Sequence, residues 1–167
     1  KGRWTEGVNL SPQLLGRLKK SVLITSAGAS TRIEGAKLSD EDVDKHIKGL
    51  NISRFTDRDK QEVQGYYELL ENIFNAWRTV SFNESSLKHL HKELLKYVEK
   101  DARHRGDYKK IENDVGLFDA DGKKIGVVFK TVPAYLAPKQ TQELVRWTSE
   151  AMEQKKYHPL LIIGSFV

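Results

Sequence analysis

A serine and a glutamate four residues apart are the side chains with the clearest capacity for chemistry in this sequence of 167 residues. Ser30 and Glu34 stand in the stretch STRIEG, which ends at Gly35. Residues four apart share one face of a helix, and glycine is a natural helix stop. The helix dipole disfavours a carboxylate at a helix C-terminus unless a cation neutralises it. Glu34 is therefore predicted either to pair with a cation or ligand or, as the plainer alternative, to be an exposed side chain before a stop glycine.

Other residue types that could perform chemistry are absent or scattered. The sequence has no cysteine, which excludes disulfides, cysteine metal sites and cysteine nucleophiles. His89 and His91 are two residues apart and would point to different helix faces, and the other histidines are dispersed along the chain. We therefore predict no metal site, and we expect His91, which lies on an apolar stripe, to be a satisfied core histidine. No phosphate-cradling glycine loop and no G-x-S-x-G turn occurs, so we assign no catalytic residue in this chain.

The charge is concentrated at the N-terminal end of the chain. Residues 1–37 hold seven lysines and arginines against two glutamates, which accounts for the whole net charge of +5. A basic end can favour nucleic acid or a phosphorylated ligand. We favour a solvated helix face, since no aromatic residues alternate with these charges, and we do not expect nucleic acid to bind this segment. No apolar run is long enough to cross a membrane, and a cytoplasmic protein is the natural interpretation.

The elements that would position these residues are mostly helical. Apolar spacing predicts helices over residues 12–24, 57–79, 84–100 and 138–155. Ser39 followed by Asp42 resembles a capping box that opens a short helix. Residues 113–130 flank the turn sequence DADG with alternating apolar residues, which predicts a β-hairpin. The apolar segment at residues 160–167 has no stop signal, so we expect the natural protein to continue.

Several of these motifs, in this order, resemble the Fic family of proteins. Ser30-x-x-x-Glu34-Gly35 matches the S/T-x-x-x-E-G/N inhibitory motif of that family. The sequence Gly106-Asp107-Tyr108-Lys109 resembles the family's G-x-Y-R turn, with lysine in place of arginine, which keeps the charge but loses the bidentate fork. Residues 127–138 resemble the β-hairpin flap, residues 144–147 the helix after it, and residues 158–160 the start of the helix that leads to the active loop. The resemblance runs from residue 11 onward.

The resemblance implies a mainly α, Fic-like helical domain with one β-hairpin flap. It would comprise an N-terminal region over residues 1–55, with the inhibitory helix at about residues 24–35, and a Fic core over residues 56–167. It also implies transfer of AMP from ATP, with Mg²⁺, to a Ser, Thr or Tyr hydroxyl of a target protein. Glu34, with Ser30 and Gly35, would inhibit this transfer. The flap would dock the target through four residues, Lys130, Thr131, Val132 and Pro133. A homodimer is compatible with this layout.

One departure from the family pattern leaves other functions open. The catalytic signature H-P-F-x-D/E-G-N-G-R-x-x-R does not occur in these residues, so the residues that bind ATP and Mg²⁺ would lie mainly outside this chain. We expect this fragment alone to be inactive. The alternatives are a catalytically inactive Fic-like module that binds nucleotide or a partner, and a basic helical nucleic-acid-binding domain. Transfer of UMP or phosphocholine, or removal of AMP, is also compatible with the sequence.

Overall fold

A computed structural model describes residues 11–33, 35, 37–49 and 58–167. Its helices are α1 (Pro12–Ile33), α2 (Asp40–Gly49), α3 (Arg58–Ala76), α4 (Glu84–Leu94), α5 (Ala137–Gln154) and α6 (Pro159–Phe166). Between α4 and α5, the strands β1 (Asp114–Phe118) and β2 (Lys124–Lys130) pair as an antiparallel hairpin. The predicted fold class, mainly α with one β-hairpin, is confirmed.

The described residues form two compact units. The first contains α1, α2 and α3 together with Glu93–Ala102, and the second contains Arg78–Lys92 and Arg103–Val167. The predicted boundary near residue 55 lies outside the described residues and stays a prediction. Among the described helices, none is both long and apolar enough to span a membrane.

Helix α1 is longer than predicted. It begins at Pro12, where the Ser11 hydroxyl accepts a hydrogen bond from the Leu14 N–H at 3.2 Å, and it continues for 22 residues. The apolar stripe of its first turns is between 41% and 50% exposed, and it consists of Leu14, Leu15, Leu18 and Val22. The buried positions lie further along the helix, because α2 and α3 pack there. The core of the first unit consists of Leu23, Ala27, Val43, Val63 and Tyr67.

The start of α2 is the predicted capping box. The Ser39 hydroxyl accepts a hydrogen bond from the Asp42 N–H at 3.1 Å, and the Asp42 carboxylate accepts one from the Ser39 N–H at 3.1 Å. These two bonds satisfy two of the N–H groups that a helix N-terminus leaves without intrahelical partners. They hold the start of the helix from which Val43 enters the core.

Helix α4 ends earlier than predicted, at Leu94 instead of near residue 100. Beyond it, the N–H groups of Lys96 and Val98 bond to carbonyls three residues back, at 3.3 and 3.0 Å, which is the tighter 3-10 pattern. Val98 then takes an extended conformation and is fully buried. A short 3-10 helix follows at Glu99–Asp101.

The second unit has its own small core. Helix α5 starts with Pro138 in its first turn, as predicted, and buries Val145 and Thr148. Met152, which was predicted to face inward, is 39% exposed, and the smaller Ala151 is buried instead. Helix α6 packs on α5 and buries Ile162. Its last residue, Phe166, makes an edge-to-face contact with Phe82 at 5.3 Å between ring centroids.

Candidate functional site

Ser30 lies near the C-terminal end of α1, where it is half-buried. Its hydroxyl donates a hydrogen bond to the Tyr66 hydroxyl of α3 at 2.9 Å. Glu34 lies outside the described residues, so its predicted partner stays a prediction. Gly35 has the positive φ of 100° that favours glycine, and its N–H bonds to the Arg32 carbonyl at 3.0 Å. Helix α1 therefore stops as predicted, next to the position of Glu34.

The connection from α1 to α2 is held by Arg32. Its Nη1 forms an ion pair with Asp40 at 2.8 Å and donates to the Leu38 carbonyl at 3.0 Å. A Cβ at Gly28 would lie 2.7 Å from the Asp40 carboxylate and 2.8 Å from Arg32, so a larger residue there would require the two side chains of this pair to shift. The pair is partly exposed, and its main effect is to fix the geometry of the turn rather than to add much stability.

A cleft of about 550 Å³ opens beside Ser30 and Tyr66. This volume lies in the range of small-molecule sites. The described residues that line it are Ser30, Thr31, Gly35, Arg58, Asp59, Glu62, Tyr66, Leu94, Leu95 and Asp101. The end of the predicted inhibitory helix thus forms one wall of this cleft.

The charges in this cleft do not suit a triphosphate. Arg58 bonds to Glu62 at 2.6 Å and lies 3.7 Å from Asp101, and the hydrogen bond to Glu62 is the main reason that the pKa of Arg58 is raised. Asp59 accepts a hydrogen bond from the Lys37 N–H at 3.0 Å. Three carboxylates and one engaged arginine make a negative lining, which repels phosphate. The described residues also contain no cluster able to hold a metal ion.

A partly buried network joins α3 to the chain after α4. Glu68 accepts hydrogen bonds from Lys96, Gln64 and Tyr97, the last at 2.9 Å. Burial acts to raise the pKa of Glu68, but the hydrogen bonds from Lys96, Gln64 and Tyr97 outweigh it and lower the pKa. The pKa of Tyr97 is raised by burial and by its bond to Glu68. This network stabilises the wall of the cleft that Leu94 and Leu95 provide.

In the second unit, the Gly106-Asp107-Tyr108-Lys109 turn is held against α4. The Gly106 N–H donates to His91 Nδ1 at 3.0 Å, so His91 has a hydrogen-bond partner as predicted, but it is half-buried and not part of the core. Gly106 has a φ of 68°, and a Cβ there would lie 2.8 Å from the Lys88 carbonyl, so the position requires glycine. The Lys88 ammonium lies 5.0 Å from the centre of the Tyr108 ring, a cation–π contact.

The four predicted flap residues lie at the end of the hairpin and in the connection to α5. Lys130 is the last residue of β2 and pairs with Asp114. Thr131 bonds to Asn113 and Lys109, and Val132 is 38% exposed. The Pro133 carbonyl accepts from the Leu136 N–H at 2.9 Å and so begins the turn into α5. Among the described residues, β2 pairs only with β1, so its other edge has no strand beside it.

Two partners of these site residues were not predicted from the sequence. In the sequence, Tyr66 is only one member of an apolar stripe on a predicted helix. Nothing in that pattern predicts a hydrogen bond between its hydroxyl and Ser30. The contact between Lys109 and Thr131 joins residues 22 positions apart. The sequence did single out Lys109, because it replaces the arginine of the G-x-Y-R turn. No spacing rule, however, identifies the groups to which Lys109 donates hydrogen bonds.

Comparison with known proteins supports the fold. No protein-family model matches the sequence, and no curated protein matches it. The chain is similar in structure to a Fic-domain-containing signalling protein from Bacteroides thetaiotaomicron VPI-5482, with a TM-score of 0.69 and 19% sequence identity. The match covers 92% of this chain and 56% of that protein.

At this level of identity, the likeness establishes the fold. The chain has a Fic-like fold, as the sequence motifs predicted. It spans little more than half of the solved protein that it matches, whose description names a signalling protein and no reaction.

Proposed function

We propose that the complete protein transfers AMP from ATP to a hydroxyl side chain of a target protein and that Glu34 restrains this transfer. The observation that carries the proposal is a Fic-like fold in which the Ser30-x-x-x-Glu34-Gly35 motif falls at the end of α1. A carboxylate at that position is disfavoured by the helix dipole. An arginine of the catalytic loop would neutralise it and thereby occupy the site that the γ-phosphate of ATP needs.

The contacts of Ser30 support an inhibitory role for the end of α1. Its bond to Tyr66 fixes the last turn of the helix against α3, and Gly35 takes the positive φ that is typical after a helix end. A carboxylate that competes with a phosphate must be held in position before the nucleotide arrives, since each freed rotamer weakens the competition. Ser30 and Gly35 would provide this rigidity.

ATP and Mg²⁺ would be held by residues outside this chain. The negative cleft beside Ser30 does not fit a triphosphate, and the described residues offer no metal cluster. No step of the transfer is assigned to residues of this chain. Their contributions would be restraint by Glu34 and docking of the target at the flap, where an extended segment of the target would pair with the open edge of β2.

The test uses the full-length protein and measures AMP incorporation into the protein itself and into a pool of unstructured peptides that each carry one Ser, Thr or Tyr. We expect Glu34→Gly and Glu34→Gln to raise incorporation about tenfold, a typical size for coupling between an inhibitory contact and a ligand. Glu41→Gln, which changes an exposed glutamate of α2, is the matched control and should have no effect.

Two outcomes would contradict the proposal. Equal incorporation by the parent, Glu34→Gln and Glu41→Gln proteins would remove the inhibitory role of Glu34. Absence of AMP incorporation by every variant would favour a Fic-like module without this activity. In that case, ATP binding measured by calorimetry would distinguish a nucleotide-binding module from a partner-binding one. Parallel assays with UTP and CDP-choline would identify a different transferred group.

A further inference from the structure

Lys109 contacts both ends of the β-hairpin. Its Nζ donates hydrogen bonds to Asn113 Oδ1 at 2.7 Å and to Thr131 Oγ1 at 2.5 Å. Asn113 directly precedes β1, and Thr131 directly follows β2. One ammonium group therefore bridges the two points at which the chain enters and leaves the hairpin.

The Thr131 hydroxyl completes this network. It donates its hydrogen to the Asn113 carbonyl and accepts from Lys109 on a lone pair, which a hydroxyl can do at the same time. The Thr131 N–H also approaches the Asp114 carboxylate at 3.4 Å. We call these three residues, Lys109, Asn113 and Thr131, the root clamp.

The hairpin above the root clamp has little other support. Its apolar side chains are between 44% and 66% exposed, and they are Val115, Leu117, Phe118, Ile125, Val127, Val128 and Phe129. Its pairing is irregular at two places in β1, between Val115 and Gly116 and between Leu117 and Phe118. A two-stranded hairpin without a packed face is marginally stable in water. Its position therefore depends strongly on how its ends are held.

The root clamp is connected to α4 through the turn that ends at Lys109. Lys109 ends the turn whose Gly106 N–H bonds to His91 of α4. Tyr108, the residue before Lys109, lies under the ammonium of Lys88 on the same helix. The turn thus connects α4 to the root clamp, and the root clamp contacts both ends of the hairpin. In this way α4 helps to fix the position of the hairpin.

We propose that Lys109 is a positioning residue for target docking, which holds the hairpin so that the open edge of β2 is in place before a target segment arrives. This inference rests on the proposed function. Preorganisation of a binding edge lowers the ordering cost of binding and therefore acts on affinity for the target. An ammonium has three N–H donors and can bond to both acceptors, Asn113 and Thr131. Lysine can therefore fulfil this role at the position where the G-x-Y-R turn of the Fic family has arginine.

The first arm of the test measures hydrogen exchange of the hairpin amides in the full-length protein and does not depend on activity. We expect Lys109→Met and Thr131→Val to speed exchange over residues 115–129 about tenfold, the size expected for loss of a hydrogen bond to a charged group. Thr131→Ser keeps the hydroxyl and should retain protection. Lys110→Met is the matched control, because Lys110 pairs with Asp107 at 3.0 Å and makes no contact with the root clamp.

The second arm measures AMP incorporation into the peptide pool in the Glu34→Gly background. We expect Lys109→Met to raise the KM for the peptides about tenfold and to leave the KM for ATP within about twofold, and Lys109→Arg to restore most of the peptide affinity. A general loss of folding would lower the concentration of active enzyme and therefore the apparent kcat with both substrates, without raising the KM for the peptides alone, so a selective rise in that KM identifies a docking role.

The outcomes separate this inference from the proposed function. Unchanged hairpin exchange in an active protein would overturn the root clamp alone. Faster exchange with an unchanged KM for the peptides would overturn the docking role of Lys109. If hydrogen exchange of the hairpin becomes faster as expected but no variant incorporates AMP, the proposed function is wrong. The docking role of Lys109, which rests on that function, is then wrong as well.

Discussion

At the scale of single residues, Gly65 has the tightest surroundings of the glycines in the described chain. A Cβ at this position of α3 would lie 2.0 Å from the Leu94 carbonyl oxygen at the end of α4. The obstacle is backbone, which cannot swing aside as the end of a side chain can. We expect Gly65→Ala to lower the free energy of unfolding by about 3 kcal/mol, the upper part of the range for overpacking. Urea denaturation of the purified protein measures it.

Gly16 provides a control for the same substitution. It lies within α1, and a Cβ there would meet nothing within 4 Å. Alanine loses less conformational entropy than glycine when a helix forms, so Gly16→Ala should raise the free energy of unfolding by about 0.5–1 kcal/mol. If Gly65→Ala raised the free energy of unfolding as Gly16→Ala is expected to do, the close approach of α3 to the Leu94 carbonyl would be contradicted.

The hydrogen bond between Ser30 and Tyr66 has a residue-scale test of its own. Ser30→Ala and Tyr66→Phe each remove one hydroxyl from a partly buried pair that is 2.9 Å apart. We expect each to cost about 1 kcal/mol and the double variant to cost less than their sum, because they remove the same bond. A double-mutant cycle from thermal unfolding measures this coupling. Strict additivity would mean that the two hydroxyls do not interact.

At the scale of elements, α2 depends on its capping box. The hydrogen bond from Ser39 is the main reason that the pKa of the Asp42 carboxyl lies below its ordinary value. Ser39→Ala should reduce the free energy of unfolding by about 1 kcal/mol, the usual cost of a lost N-cap. Ser39→Thr keeps the hydroxyl and should cost much less. Circular dichroism during thermal unfolding would give the melting temperatures of the parent and of both variants. A melting temperature of Ser39→Ala equal to that of the parent would contradict the role of Ser39 as a cap.

At the scale of the whole molecule, the Glu68 network predicts how stability depends on pH. The pKa of Glu68 in the folded protein lies below its ordinary value of about 4.5, because its bonds to Lys96, Gln64 and Tyr97 outweigh burial. A lowered pKa contributes stability that is present above the unfolded value and is lost as the pH falls through the folded value. We therefore expect the contribution of Glu68 to be complete near pH 7 and to decrease below about pH 4.5.

Glu68→Gln tests this pH dependence. The variant should be less stable than the parent at pH 7, since Lys96 loses the closer of its two anionic partners, Glu68 and Glu93. The difference should narrow towards pH 3 as the parent's Glu68 carboxylate becomes protonated. Unfolding by urea at several pH values measures both proteins. Glu41→Gln changes an exposed glutamate and is the control. A difference that stayed constant from pH 7 to pH 3 would contradict the assignment.

The sequence determined what depends on local interactions. Pro12 and Gly35 delimit the first helix, Ser39 and Asp42 cap the second, and the turn after Asp119, with Gly122 at a φ of 78°, forms the hairpin. These features depend on allowed dihedral angles and on bonds over three or four residues, which a linear pattern contains. The ordered motifs also indicated a Fic-like fold, although the sequence as a whole matches no family model.

Only the tertiary structure decided which face of each helix is buried and which distant side chains meet. The stripe from Leu14 to Val22 has helical spacing but stays half exposed, because α2 and α3 pack on the later turns of α1. Helix α4 ends at Leu94, and Val98 beyond it is extended and buried. The partners of Ser30 and Lys109 lie 36 and 22 residues away. Such contacts depend on the packing of whole elements, and the local pattern that forms a helix or turn does not specify its neighbours.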